Sequence, residues 1–249
     1  MIFVKNTQNH LGVEILGDYY DFQNLYDALH SIVGGEGELN SYRLSRLRIL
    51  GLCYDLRHAT MGDREYEFVE NSINSEILRA KGFIAPEKNL YLKVNVFWPE
   101  MLFIQMVLND FVLLSAKKNT KVYYDTLIDS KNIWNESIAM VRLFQSAVMK
   151  CIKESTTEAT YKRMLNFMNP RYSSFDNYMP HYLDLLNVKF INMSEEKRIK
   201  NLSIIAKRII ERGQEYQLLK QEIQAAAREY NCSVEDIRIN SEYPEEYEW

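Results

Sequence analysis

Residues 89–116 have the sequence NLYLKVNVFWPEMLFIQMVLNDFVLLSA, a stretch that joins two different hydrophobic patterns. Up to Trp98, aliphatic residues alternate with polar or amphipathic ones, and this period of two is typical of a strand with one buried face. Pro99 ends the pattern and suits the first turn of a helix, where its missing N–H is tolerated. The sequence therefore predicts a strand that runs directly into a helix.

The predicted helix is almost entirely apolar. Between residues 101 and 114 its only polar side chains are Gln105, Asn109 and Asp110, which form a narrow stripe. A helix on a protein surface has a broader polar face than this. The apolar run is also shorter than the roughly 20 residues that span a bilayer. We therefore predict a buried central helix and no membrane-spanning segment.

Composition favours a soluble cytoplasmic protein. The 249 residues are 47% hydrophobic, which is enough for a substantial core. A net charge of −4 disfavours nucleic acid as a partner. The N-terminus lacks the cationic start and continuous apolar run of a secretion signal. Three widely spaced cysteines, Cys53, Cys151 and Cys232, favour reduced, buried thiols over disulfides.

Working outward from the central stretch, the remaining patterns divide the chain into two parts. Strands are predicted at 2–5, 12–16 and 64–69, and helices at 21–33, 41–60, 133–152, from Thr156 or Thr157 to 168, and from 180. A short strand is predicted at 121–126. These patterns predict an α+β fold: residues 1–120 form a small, mostly antiparallel sheet with helices on one face, and residues 121–240 form a helical region that shares its core.

The longest predicted helix covers residues 194–230, with Ser194 as its N-cap and apolar residues three or four positions apart. A helix of about 37 residues would be roughly 55 Å long. Its apolar stripe is therefore expected to pair with a second copy and form a homo-oligomer. The alternative is a break at Gly213 that gives two antiparallel helices, because an interior glycine weakens a helix.

Three arginines lie on one side of the helix predicted at 41–60, namely Arg43, Arg46 and Arg57. Guanidinium groups on a common face can bind carboxylate or phosphate in bidentate fashion. The three side chains are therefore a candidate binding surface. The other interpretation is an ordinary solvated helix face.

The last segment, residues 241–249, has the sequence SEYPEEYEW. Its candidate binding residues are Tyr243, Glu245, Glu246, Tyr247 and Trp249. Acidic and aromatic residues interleave, and Pro244 opposes a helix. By composition this is a docking peptide, which we expect to lie against the three arginines of its own or a neighbouring subunit. A disordered solubilising tail is the alternative.

Motifs for catalysis and metal binding are sparse. Asp18 and Asp21 follow a predicted strand, a position where carboxylates often bind metal, although Asp21 is also a candidate helix cap. The sequence has no zinc-ligand spacing, phosphate-binding loop, dinucleotide motif or nucleophile elbow. We therefore predict no cofactor and assign no catalytic residue.

Residues 224–239, QAAAREYNCSVEDIRI, resemble a helix-turn-helix. The second helix would present Glu235 and Asp236 to phosphates, which disfavours DNA binding. A helical hairpin that folds the tail back is the preferred interpretation.

Two further stretches, LGVEILGDYYDFQNLYDALHSIVG and LRILGLCYDLRHATMGDREYEF, resemble a family of uncharacterised bacterial proteins of unknown function. The resemblance covers residues 11–115. It implies a bacterial origin and assigns no chemistry.

These observations favour a non-enzymatic interaction or regulatory protein that acts through helix pairing and its acidic tail, with a second copy or another protein as partner. Two alternatives stay open. One is an enzyme or effector of nuclease or toxin type from a defence or mobile-element system, with a site between the Asp18–Asp21 turn and the arginine helix. The other is a DNA-binding protein that uses residues 224–239.

Overall fold

A computed structural model describes residues 1–120, 126–168, 175–239 and 241–249. The strands are β1 (Phe3–Asn6), β2 (Gly12–Gly17), β3 (Tyr66–Glu70) and β4 (Lys88–Phe97). The helices are α1 (Tyr19–Val33), α2 (Arg43–Thr60), α3 (Ser75–Lys81), α4 (Trp98–Asn119), α5 (Ser130–Ile133), α6 (Glu136–Ser155), α7 (Glu158–Met168), α8 (Met179–Ile191), α9 (Glu195–Glu211) and α10 (Gln214–Glu229). The strand predicted at 121–126 falls almost entirely outside the described residues.

The four strands form one antiparallel sheet in the order β1-β2-β4-β3. Buried pairs such as Val13 with Val96 and Ile15 with Val94 lie on one face. The opposite face carries charged side chains, among them Lys5, which contacts Glu14 at 3.2 Å. The predicted α+β class and the small antiparallel sheet are therefore confirmed.

Helix α4 begins at the residue after β4 ends, with Pro99 in its first turn. Every residue from 101 to 108 is buried, as the apolar pattern predicted. By length and composition alone α4 could cross a membrane, but most of its apolar window is buried inside the protein. The helix therefore has the placement of a core helix.

A single hydrophobic core joins the two parts of the chain. It extends from Ile2, next to β1, to Ile223 in α10, and it includes residues of α4, α6, α8 and α9. The helical region consequently packs on the α+β part through a shared interior.

The prediction of one helix over residues 194–230 is wrong, and the alternative break near Gly213 is what the structure has. Arg212 ends α9 in the left-handed conformation, with φ 49° and ψ 53°. The Arg212 guanidinium lies 5.4 Å from the centroid of the Phe175 ring, so the turn packs against the core. Most of the apolar stripe is buried within the same chain, at Leu202, Ile205, Ala206, Ile209, Tyr216, Leu219, Ile223 and Ala227.

The second helix of the predicted helix-turn-helix, and of the preferred helical hairpin, does not form. After α10 the chain turns at Asn231, whose φ is 48°, and residues 231–239 contain no helix. Ile237 and Ile239 instead pack against the core. This segment returns the chain to the body of the protein without presenting a recognition helix.

We expect Phe103→Ala to lower the free energy of unfolding by about 3–5 kcal/mol, because it opens a cavity in the core. Phe103 is fully buried and packs edge-on against Phe175 at 5.3 Å. Leu113→Ala on the same helix is the matched control; its side chain is 37% exposed, so we expect a loss of about 1 kcal/mol. Urea denaturation measures both, and equal losses would contradict the central placement of α4.

Candidate functional site

Arg48 of α2 is the centre of a partly buried polar cluster. Its guanidinium donates hydrogen bonds to the Asp184 carboxylate at 2.6 Å and to the Pro180 carbonyl at 2.7 Å, both in α8. It also donates to the Glu100 carboxylate in the first turn of α4, at 3.3 Å. One side chain thus ties three helices together.

The carboxylates of the cluster are held by local helix geometry. Glu100 follows Pro99 in the first turn of α4, where the helix dipole favours an acid. Asp184 and Asn187 are three residues apart, so they lie on the same side of α8. The Asn187 amide donates to Glu100 at 3.2 Å, which completes the link between α8 and α4.

Burial changes the acid–base behaviour of the cluster. It raises the pKa of the Glu100 carboxyl, although the charge of Arg48 and the hydrogen bond from Asn187 oppose this shift. Burial also lowers the pKa of His181, which is 8% exposed and whose Nε2 has no hydrogen-bond partner. Tyr243, in the tail, has its pKa raised to about 12, chiefly by burial. Desolvated titratable groups of this kind are common at functional sites.

The C-terminal tail, residues 241–249, covers this cluster. The Tyr243 hydroxyl donates to Asp184 at 3.2 Å. Three tail rings surround Phe97 at the end of β4, and Trp249 is stacked on it with centroids 4.7 Å apart; Tyr247 lies at 5.3 Å and Tyr243 at 6.4 Å. The tail is therefore packed on its own chain as an irregular segment that bends at Glu245 and folds around Phe97.

Two backbone features fit the end of the tail to the sheet. The Asn9 N–H donates to the Trp249 carbonyl at 3.1 Å. A Cβ added at Gly12 would lie 2.1 Å from the Val96 carbonyl oxygen and 3.0 Å from the Trp249 ring. Glycine is thus required where β2, β4 and Trp249 meet.

Two cavities flank the cluster, and Arg48 lines both. One, of about 430 Å³, is lined also by His181 and Asp184. The other, of about 540 Å³, lies between α2 and the β4–α4 junction and is lined also by Glu100 and Trp249. The polar cluster around Arg48 and the tail over it are therefore bordered by two cavities.

The three predicted arginines do not form a common site. Arg43 pairs with Glu235 at 3.2 Å, and Arg46 donates to the Gly34 carbonyl at the end of α1. Arg57 is exposed. The ring stacking and hydrogen bonding of the tail involve other residues, and binding of the tail to these arginines in a neighbouring subunit stays a prediction.

The acidic residues of the tail face solvent. Glu245 and Glu246 are exposed, while the neighbouring rings supply the contacts with the protein. Aromatic stacking therefore holds the tail, where the sequence suggested charge.

Asp18 and Asp21 act as a helix cap. The Asp18 side chain accepts a hydrogen bond from the Asp21 N–H at 2.9 Å, and the Asp21 carboxylate accepts from the Asp18 N–H at 3.1 Å. Asp18 is thus the N-cap of α1, and the prediction that Asp21 is the N-cap is wrong. Asp21 also pairs with the Met1 ammonium at 2.6 Å. Among the described residues, no group of three or more His, Cys, Asp or Glu side chains is arranged to hold a metal ion.

The cysteines follow the prediction in part. Cys53 and Cys151 are buried free thiols, and burial raises their pKa values to about 12 and about 11. Cys232 is also free, but it is exposed after α10, so the prediction of burial is wrong for this residue.

Comparison with protein families gives one full-length match. The model described as "Domain of unknown function (DUF6904)" matches residues 2–249, and the chain therefore belongs to this family. Comparison with curated proteins gave no match, and comparison with solved structures gave none.

We expect the free energy of unfolding of Glu100→Gln to rise relative to that of the wild type as the pH increases from about 4.5 to 7. Because the folded chain holds the pKa of Glu100 above its unfolded value, the wild type loses stability when this carboxyl ionises, whereas glutamine does not. Urea denaturation at several pH values measures the difference in free energy of unfolding. Glu136→Gln, an exposed acid in the first turn of α6, is the control. A difference that is constant with pH, or that falls, would contradict the raised pKa.

Proposed function

We propose that this member of the family is a non-enzymatic regulatory protein of the bacterial cytoplasm that binds its partner on the surface now covered by its own tail. The observation that supports this proposal is the packing of three tail rings on Phe97, together with the Tyr243–Asp184 hydrogen bond. A segment that occupies a recognition surface of its own chain competes with any external ligand for that surface.

The strength of these contacts is suited to reversible release. An aromatic pair contributes roughly 0.5–1.5 kcal/mol beyond the area it buries, and ordering the segment opposes that gain. Tyr243 and Tyr247 remain 37% and 40% exposed, so neither ring is fully enclosed. A tail held this weakly samples an open state that a partner can capture.

The chemistry of the partner is inferred from the groups of the protein that the tail contacts. Asp184 accepts a hydrogen bond from a phenol, Phe97 offers a face for stacking, and the Asn9 N–H donates to a backbone carbonyl. A peptide with aromatic residues spaced like Tyr243 and Trp249, and bent so that both rings reach Phe97, meets all three requirements. Such a peptide can come from a second copy, in which case exchange of tails would produce a homo-oligomer.

Pairing through α9 and α10 has no comparable support. The stripe on which that idea rested is buried in the interior of the chain, at Leu202, Ile209 and Ile223 among others. We therefore place recognition at the tail surface.

The proposal predicts that a labelled peptide of residues 241–249 binds the full-length Tyr243→Ala/Trp249→Ala protein and binds the wild type at least about tenfold more weakly. The reason is that the wild-type tail competes within the molecule at an effective concentration in the millimolar range. Fluorescence anisotropy measures both affinities, and circular dichroism confirms that the variant is folded.

Two further substitutions in the double variant serve as controls. Phe97→Ala is expected to abolish peptide binding, whereas Arg57→Gln, an exposed change on α2, should leave it unchanged. Equal affinity of the wild type and the double variant, no binding to the folded double variant, or a larger effect of Arg57→Gln than of Phe97→Ala would refute the proposal.

A further inference from the structure

The polar stripe on α4 faces a separate cavity on the other side of the helix bundle. This cavity, of about 580 Å³, lies between α4, α6 and α7. Its polar lining is Gln105, Asn109, Asp110, Arg142, Gln145 and Ser146, and its apolar lining is Leu113, Leu127, Met149, Leu165 and Met168. A largely apolar wall with a few converging polar groups is the usual composition of a small-molecule site.

Two glutamines fix the floor of the cavity. The Gln105 amide donates to the Gln145 carbonyl at 2.9 Å, and the Gln145 amide donates to the Gln105 carbonyl at 2.9 Å. Each side chain is thereby held by the backbone of the opposite helix. The floor is consequently preorganised, which lowers the cost of binding.

Gln105 is left with an unused acceptor. Gln105 is 5% exposed, and its side-chain oxygen has no hydrogen-bond partner. A buried polar atom without a partner is costly and uncommon in folded proteins. A ligand N–H or O–H in the cavity would satisfy this oxygen.

Arg142 supplies the charge of the site. Its guanidinium donates to the Gln145 side-chain oxygen at 2.8 Å and to the Asn109 side-chain oxygen. No carboxylate among the described residues lies within ion-pair distance of it. Asp110, on the same wall, accepts a hydrogen bond from the Tyr42 hydroxyl at 3.5 Å. A guanidinium held only by neutral amides retains donors for a carboxylate.

We propose that this cavity binds a small amphipathic carboxylate of the N-acylated amino-acid class. Arg142 binds the carboxylate, the Gln105 oxygen accepts the ligand's amide N–H, and Met149, Leu165 and Met168 pack against its apolar side chain. Arg142 is solvent-accessible, so the ligand enters past it. This site is distinct from the tail surface, and neither proposal depends on the other.

Isothermal titration of the full-length protein with N-acetyl-L-leucine tests the proposal. We expect saturable binding, and binding at least tenfold weaker for N-acetyl-L-leucinamide, which lacks the carboxylate. Arg142→Gln should weaken binding of the acid at least tenfold, with partial recovery in Arg142→Lys. Gln105→Met, which keeps the length of the side chain but removes both the acceptor and the amide donor to the Gln145 carbonyl, should weaken it severalfold.

Arg57→Gln is the matched control, because it removes an exposed arginine far from the cavity lining. Thermal melting shows whether each variant is folded. No binding to the wild type, equal binding of acid and amide, or unchanged affinity in folded Arg142→Gln would overturn the proposal. Unchanged affinity in Tyr243→Ala/Trp249→Ala is required, since loss there would place the probe at the tail surface.

Discussion

The burial of α4 is the constraint on which the structure depends. With residues 101–108 enclosed, the first half of this helix has no solvent-facing side, so the sheet and the helices α8 and α9 pack around it. Few polar residues lie in this half, and Glu100 and Gln105 each have a specific environment. Glu100 joins the cluster beneath the tail, and Gln105 forms the floor of the cavity beside α6. The same element therefore supplies residues to both candidate sites.

Much of the architecture could be predicted because its signals are local. Alternation along β4, Pro99 at the helix start and the narrow polar stripe together indicated a strand joined to a buried helix. The break between α9 and α10 was only the alternative interpretation, with Gly213 as its signal, because apolar residues keep helical spacing on both sides of Arg212. Packing of that residue on Phe175 is a tertiary contact, and tertiary contacts override weak helix propensities.

The candidate site was less predictable than the fold. The composition of the tail singled it out as a docking segment, but not the surface that it covers. Phe97 belongs to the more polar face of its strand pattern, and Asp184 lies in a helix without any distinguishing motif. The arginines of α2 looked like a unit because they share a helix face, yet each has a different local environment. Contacts between segments more than 50 residues apart, such as Tyr243 with Asp184, leave no local pattern.

The absence of any loop between β4 and α4 couples the sheet to both sites. Strand register fixes which residues of β4 face the core, and the helix continues from that point without a joint that could absorb a change. Inserting a single residue at the Phe97–Trp98 junction would rotate α4 by about 100° relative to the sheet. Glu100 would turn away from Arg48 and Gln105 from Gln145 in one step, so this junction should tolerate no length variation among functional relatives.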